Sequence, residues 1–540
     1  MNESSTHRSL ILLLISFLAI SWFADIQLRD LTHTDEGRYG EIAREMVVSG
    51  DWLTPRLNDF KYFEKPPLHY WITASAYKIF GIHNWTARLW TELAGFLSIL
   101  ITAYAGYRLF NRETGLLAGM LLAANIYFYL VAHINVLDMG LTFFMTLTLV
   151  GFLLAQSDQA HYKQWMLLAW AGAALALLSK GLMAVVLPGA VFVLYSLIRR
   201  DLAIWKRLYF WPGLGLFLLI SAPWFVMVSI ANPEFPEFFF IHEHFERFLS
   251  KGHQRVEPWW YFLGFTFIAL LPWLPQSWRT LKDAVSGYDR QDKTFEPGLF
   301  LLIWAAFILL FFSISSSKLP HYIAPIMPAL ALLFANTLRR DEHRGLDISS
   351  GITALAGIIG LVALLQDHPK LEELSAWLPW MRTGFGLLLL GGLGGLILRR
   401  RTALLRIASI CLGWYLSVLI ILAGAQTVSE MRSAWPLLKD QIEKIEPGVP
   451  VYSVEYYQQT IPFYLNRTLR LVQYEGELAF GIAQEPEKYI PTIEGFEALW
   501  QMEDRAFAVM KTETYERLKE KGLPMIERSR DRNQVLVERP

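Results

Sequence analysis

Two short segments near the start of the chain carry residue types that bind anions and stabilise developing charge. The first, Leu31-Thr-His-Thr-Asp-Glu-Gly-Arg-Tyr39, places Asp35, Glu36 and Arg38 where a helix should begin, since Ile42, Met46 and Val47 follow at helical spacing. Thr34 or Asp35 is a natural N-cap there. A capping role with Arg38 on a solvated face is the plain reading; a carboxylate and a guanidinium held for a substrate is the sharper one. The second, Tyr62-Phe-Glu-Lys-Pro-Pro-Leu-His-Tyr-Trp71, has a proline pair that suits a first helical turn, which fixes Glu64 and Lys65 at a helix N-terminus. A cation beside free backbone amides suits a phosphate, against the alternative of an ordinary surface Glu–Lys pair.

Further polar residues interrupt apolar sequence. Asp138 sits just inside an apolar run, where a carboxylate needs a partner or a task, or else caps the helix with Asn135. Lys180 separates two apolar runs, as a phosphate contact or as an interfacial cation extending to water. Phe238-Phe-Phe-Ile-His-Glu-His-Phe-Glu-Arg-Phe248 offers His242, His244 and Arg247 for metal or anion binding, with Glu64 able to complete a partial metal site. Lys318, His321 and Tyr322 lie in one further turn, where Tyr322 also suits an interfacial anchor.

The elements that must position these residues are membrane spans. Of 540 residues, 54% are hydrophobic and only 18% charged. Apolar runs near 9–27, 87–108, 114–132, 136–155, 164–179, 181–198, 208–230, 258–277, 298–316, 320–337, 348–366, 382–398 and 404–425 predict about thirteen transmembrane helices. The first is read as an uncleaved span, because no small-x-small cleavage pattern follows it. Arg108, Arg112, Arg199, Arg200, Lys206, Arg207, Arg279, Arg339, Arg340 and the Arg399-Arg-Arg401 run all fall in loops on one side, the cytoplasmic one. The opposite side receives residues 28–86, residues 231–257 and the tail. The predicted division is a transmembrane domain over 1–426, including those two loops, and a small C-terminal α/β domain over 427–540. In the tail, strands are expected at 449–455, 469–474, 506–510 and 534–538, with helices at 434–445, 456–465, 491–502 and 512–521. Net charge is zero, which gives no field for nucleic acid, and the single cysteine, Cys411, reads as a small buried hydrophobe.

The candidate residues fall on the outer side, and the apolar spans are nearly free of charge. A transporter needs polar groups along a path reaching both faces, so this asymmetry disfavours transport. Cations and carboxylates at one face of a bilayer fit a lipid-linked phosphate: the cations stabilise a phosphate leaving group and a carboxylate orients or deprotonates the acceptor.

The run Asp35-Glu-Gly-Arg-Tyr39, then Glu41-Ile-Ala-Arg-Glu-Met46, Gly50-Asp-Trp52 and Tyr62-Phe-Glu-Lys-Pro66, resembles the bacterial lipid A aminoarabinose transferases. These are polyprenyl-phosphate-dependent membrane glycosyltransferases related to protein O-mannosyltransferases. Leu-Ser-Lys180-Gly, Glu243-His-Phe-Glu-Arg-Phe248, Pro258-Trp-Trp-Tyr261 and Lys318-Leu-Pro-His-Tyr322 extend the resemblance in order. It departs from some members at Pro67-Leu-His69, and the tail is its least recognisable part. The resemblance implies a GT-C-type fold, an undecaprenyl-phosphate sugar donor and a lipid A phosphate acceptor in the inner membrane, with the N-terminus cytoplasmic and the tail periplasmic. It implies catalytic roles for Asp35 and Asp138 and donor contacts from Arg38, Tyr62, Lys65, Lys180, Arg247 and Tyr322. It also implies a structural divalent metal, zinc or similar, held by Glu64 with His242 or His244. Other sugars, and transfer to protein as in the O-mannosyltransferases, are the alternatives within the class.

Overall fold

A computed structural model of the chain describes residues 15–246, 257–286, 294–340, 343–366 and 372–540. By internal contacts the chain divides into two units. One comprises Met1–Ile26 and Trp90–Gly424; the other comprises Gln27–Leu89 and Ala425–Pro540.

The first unit is helical. Among the described residues, eight helices are long and apolar enough to cross a bilayer, and the pair Arg112–Ala123 and Ile126–Ala132, bent by 65°, makes a ninth if it is one broken span. Helices satisfy their own backbone groups, which is what a segment without water requires. The expected spans near 164–179 and 181–198 fall on the helices Tyr162–Lys180 and Met183–Arg199. The one near 258–277 is an α-helix, Tyr261–Leu270, continued by a 3-10 turn, Leu271–Gln276. Burial separates two kinds of span. The apolar window of Leu137–Ser157 is 89% buried, that of Phe210–Ala231 only 17%, so the former is a central helix and the latter presents its side chains outward. Thr142, Thr146 and Thr148 on the central helix donate to carbonyls one turn back, so their hydroxyls are satisfied without leaving the helix.

The second unit is mixed. Residues 27–89 supply the helices Asp35–Ser49 and Leu68–Phe80 and a hairpin of β1 (Arg56–Leu57) and β2 (Phe60–Lys61). Asn58 and Asp59 turn the hairpin with φ of 53° and 62°, the left-handed pair that a two-residue loop of this twist demands. The tail forms a six-stranded sheet from β3 (Val451–Val454), β4 (Arg470–Val472), β5 (Tyr489–Ile490), β6 (Phe507–Lys511), β7 (Ile526–Arg530) and β8 (Gln534–Glu538), in the order β5-β4-β3-β6-β8-β7. The β3–β4, β3–β6 and β4–β5 pairs are parallel; β8 is antiparallel to β6 and β7. The core is built by Tyr452, Val454, Val472, Phe496, Trp500, Met510, Val535 and Val537.

Three sequence expectations change. The first loop, assigned above to the transmembrane domain, belongs with the tail: Asn58 exchanges two hydrogen bonds with the Leu469 backbone, and Arg56 pairs with Glu485. In the tail, β5 and β7 lie outside the expected strands, one being two residues long and the other largely exposed and highly charged. The helix expected at 434–445 is a short turn, Trp435–Leu438, followed by the 3-10 turn Ile442–Lys444.

Candidate functional site

In the second unit the helix Asp35–Ser49 begins without a side-chain cap from Thr34. Glu36 anchors the entry instead. Its carboxylate accepts the Thr32 amide and hydroxyl at 3.0 and 2.9 Å and two bonds from Arg88 at 2.7 and 3.0 Å. Arg88 also donates to the Arg29 and Asp30 carbonyls. Burial opposes ionisation of Glu36, but the charge and hydrogen bonds of Arg88 outweigh it and hold the carboxyl down at about 2.

Arg38 is not on a solvated face. Its guanidinium is forked: Nη1 donates to Asp35 Oδ1 at 3.0 Å, and Nη2 pairs with the Glu477 carboxylate. Gln459 donates to the other Glu477 oxygen. The side chains of Arg38 and Glu477 are 9% and 12% exposed and that of Asp35 30%, so Asp35 is the member of the trio that a substrate can reach. Burial raises the Glu477 pKa, the charges of Glu64 and Asp35 add to the effect, and Arg38 and Gln459 oppose it. Tyr62 and Tyr70 are buried within the field of Arg38 and Glu64, their pKa values pushed up by burial, so both are neutral phenols. Among the described residues neither hydroxyl has a hydrogen-bond partner, which leaves two donors for a ligand oxygen.

The segment carrying Tyr62, Glu64 and Lys65 is held by the tail. Glu485 accepts the Lys61 amide at 3.0 Å and Arg56 at 2.9 and 3.0 Å. Burial would raise its pKa, but these bonds and one from Lys488 hold its carboxyl below the usual range. Phe63 meets Phe480 edge-on, and Gly481 lies so close that an added Cβ would stand 2.6 Å from the Lys61 carbonyl. Gly37 is a glycine for the same reason: its Cβ would meet the backbone of residues 459–460 at 2.7 and 2.8 Å. Pro67 then caps the helix Leu68–Phe80, and Lys65 Nζ donates to the Glu64 carbonyl at 2.7 Å.

The first unit holds a separate cluster. The helices Leu137–Ser157 and Tyr162–Lys180 run antiparallel, so the start of one and the end of the other share a level. Asp138, 3% exposed, is ion-paired with Lys180 and lies 3.3 Å from His321 Nε2. Lys180 Nζ also stands over the Tyr322 ring, 4.4 Å from its centroid. The pairing replaces both plain readings: Asp138 is no solvated cap, and Lys180 has a partner for its charge. The 3-10 turn Pro320–Ile326 carries His321 and Tyr322. It is fixed by Tyr127, which donates to the Pro320 carbonyl at 2.7 Å, and by Lys318, which bonds the Ser315 and Glu257 carbonyls.

The remaining candidates are only partly placed. His242 lies on a widened π-helical segment, Glu237–Glu246, stacked on Phe238. Arg247 and the His244 side chain lie outside the described residues. Among the described residues, no three His, Cys, Asp or Glu side chains gather as a metal site. Sequence reasoning missed Glu477, Gln459 and Glu485, which sit in the tail without any chemistry-specific spacing. It noticed His321 without assigning it a role.

A multi-span helical unit with paired charges at helix ends, together with a mixed domain, fits an integral-membrane glycosyltransferase. Residues 7–239 match the family Dolichyl-phosphate-mannose-protein mannosyltransferase, and residues 438–539 match the Aminoarabinose transferase C-terminal domain. The undecaprenyl phosphate-alpha-4-amino-4-deoxy-L-arabinose arabinosyl transferase of Erwinia tasmaniensis is 30% identical, over 70% of this chain and 72% of its own. One from Pseudomonas fluorescens is 33% identical, over 66% and 65%. A crystal structure of ArnT from Cupriavidus metallidurans bound to undecaprenyl phosphate is 36% identical, covers 98% of each chain and superposes with a TM-score of 0.92. The chain belongs to the undecaprenyl phosphate-alpha-4-amino-4-deoxy-L-arabinose arabinosyl transferase family.

Proposed function

We propose that this protein transfers 4-amino-4-deoxy-L-arabinose from undecaprenyl phosphate to a phosphate of lipid A. The observation that carries this reading is the likeness, along 98% of both chains, to a transferase crystallised with undecaprenyl phosphate. The reaction takes place at the periplasmic face of the inner membrane, with the N-terminus cytoplasmic and the C-terminal domain periplasmic. The positive side of the short loops supports that orientation.

An oxygen of the lipid A phosphate attacks the anomeric carbon of the sugar, and the bond from that carbon to the undecaprenyl phosphate oxygen breaks with inversion. The acceptor oxygen is already anionic, so no general base is required. Asp35 stabilises the oxocarbenium-like charge that develops on the sugar, in a geometry fixed before the reaction. Lys65, Lys180 and Arg247 stabilise the undecaprenyl phosphate that leaves, and Arg38, Tyr62 and Tyr322 contact the donor. Asp138 orients Lys180. Glu64 and either His242 or His244 are the candidate ligands of a divalent metal whose role would be structural. The product carries less negative charge than lipid A, which weakens its attraction for cationic peptides such as polymyxin.

The test is a reconstituted assay with purified protein, undecaprenyl-phosphate aminoarabinose and lipid A. Aminoarabinosylated lipid A is the expected product. Absence of that product together with glycosylation of Ser or Thr in an acceptor peptide would establish the O-mannosyltransferase-like alternative.

A further inference from the structure

The guanidinium of Arg38 is shared between two carboxylates that come from distant parts of the chain, Asp35 in the first loop and Glu477 in the tail. An arginine beside one carboxylate frequently closes on it with two parallel bonds. Here it cannot, because the second amino group is committed to Glu477, and Glu477 is in turn held by Gln459. Among the described residues, Asp35 Oδ1 accepts one bond from Arg38 and Oδ2 accepts none. Glu477 sits in the 3-10 turn Gly476–Leu478, immediately before the helix Ala479–Gln484, which packs on the hairpin through Gly481. The turn is therefore fastened to the same first-loop segment that carries Tyr62 and Lys65.

We propose that Glu477 is a positioning residue for the transfer reaction. By pairing with the Nη2 group of Arg38 it prevents a bidentate Asp35–Arg38 pair and leaves Asp35 Oδ2 with its negative charge available to the anomeric carbon. The tail thus acts on the chemical step through Arg38 and not through contact with the substrate. The inference rests on the function proposed above.

The test compares the full-length parent, Glu477→Gln, Arg38→Lys and the Arg38→Lys/Glu477→Gln double variant in the reconstituted transfer assay. Glu477→Gln is near-isosteric and keeps the bond from Gln459. Removing preorganised charge stabilisation of this kind lowers kcat by about tenfold or more, and KM for the donor should stay within about twofold. Lysine has no planar fork and cannot close bidentately on Asp35, so in the Arg38→Lys background the same change should move kcat by less than about twofold. Gln459→Met, which removes the bond orienting Glu477 but keeps its charge, should lower kcat in the same direction. Parental kcat in Glu477→Gln, or an equal loss in both backgrounds, overturns the inference. Should Glu477→Gln not fold, parental kcat in Gln459→Met overturns it. An inactive parent overturns the function reading, and this inference with it; an active parent with an indifferent Glu477→Gln overturns this inference alone.

Discussion

Replacing Glu36 by Gln should open the second unit locally, by an amount that the structure sets. Glu36 and Arg88 are 2% and 0% exposed at their side chains and meet in a two-bond fork. The carboxyl is held at about 2 against an ordinary value of 4.5. At 1.36 kcal/mol per pH unit the difference corresponds to about 3 kcal/mol of stability. Breaking a buried pair by removing one partner costs roughly 3–5 kcal/mol, which agrees. The folded pKa is depressed, so this stability is fully present above about 4.5 and is lost as pH falls towards 2. The assay is native-state hydrogen exchange by mass spectrometry on protein in nanodiscs, read on peptides covering the helix Asp35–Ser49. At pH 7 the variant should exchange there about 100-fold faster than the parent, which is the same 3 kcal/mol expressed as a ratio. The gap should narrow steadily below pH 4.5. An equal exchange rate at pH 7, or a gap that does not change with acid, would show that the Glu36–Arg88 pair does not hold this helix.

Two further outcomes follow from the geometry, and a third from the roles proposed for Glu64 and Lys65. Asp138→Asn and Lys180→Met should each lower kcat by about 100-fold, and the double variant should be little worse than either, because the ion pair acts as one unit; steady-state kinetics reads this directly. Gly481→Ala should destabilise the first-loop segment by about 1–3 kcal/mol, seen as faster limited proteolysis within residues 56–65, because the new Cβ meets backbone and cannot move aside. Glu64→Gln should lower the divalent metal content of purified protein, measured by elemental analysis, whereas Lys65→Met should leave metal content unchanged and raise KM for the donor.

What the sequence revealed followed the physics of each element. The membrane-spanning character was legible because long apolar runs have few other uses, although among the described residues eight helices, or nine with the bent pair, are long and apolar enough to cross against about thirteen expected, and the tail strands β3, β4, β6 and β8 were legible because β-branched and aromatic residues concentrate there. The Asp35 and Asp138 motifs stood out because charge beside apolar sequence is costly without a partner. The Lys180 partnership with Asp138 was not legible, since 42 residues separate them and only the antiparallel turn of two helices brings them together. Glu477 and Glu485 were hidden for a different reason. They lie in a charged tail where a glutamate is commonplace, and only the fold assigns them to Arg38 and Arg56. Gly37 and Gly481 look like ordinary glycines until backbone is found against each of them. The first loop was read as part of the membrane domain because it is sequence-adjacent to spans, whereas its hydrogen bonds run to residues more than 400 positions away, as Asn58 to Leu469 does.

The most direct test of the account is lipid A mass spectrometry on cells that lack their own transferase and express either this chain or its Asp35→Asn variant at equal membrane levels. An aminoarabinose mass increment is expected with the parent chain, and its loss with Asp35→Asn. Unmodified lipid A from a well-expressed parent, or an undiminished increment from the variant, would contradict it.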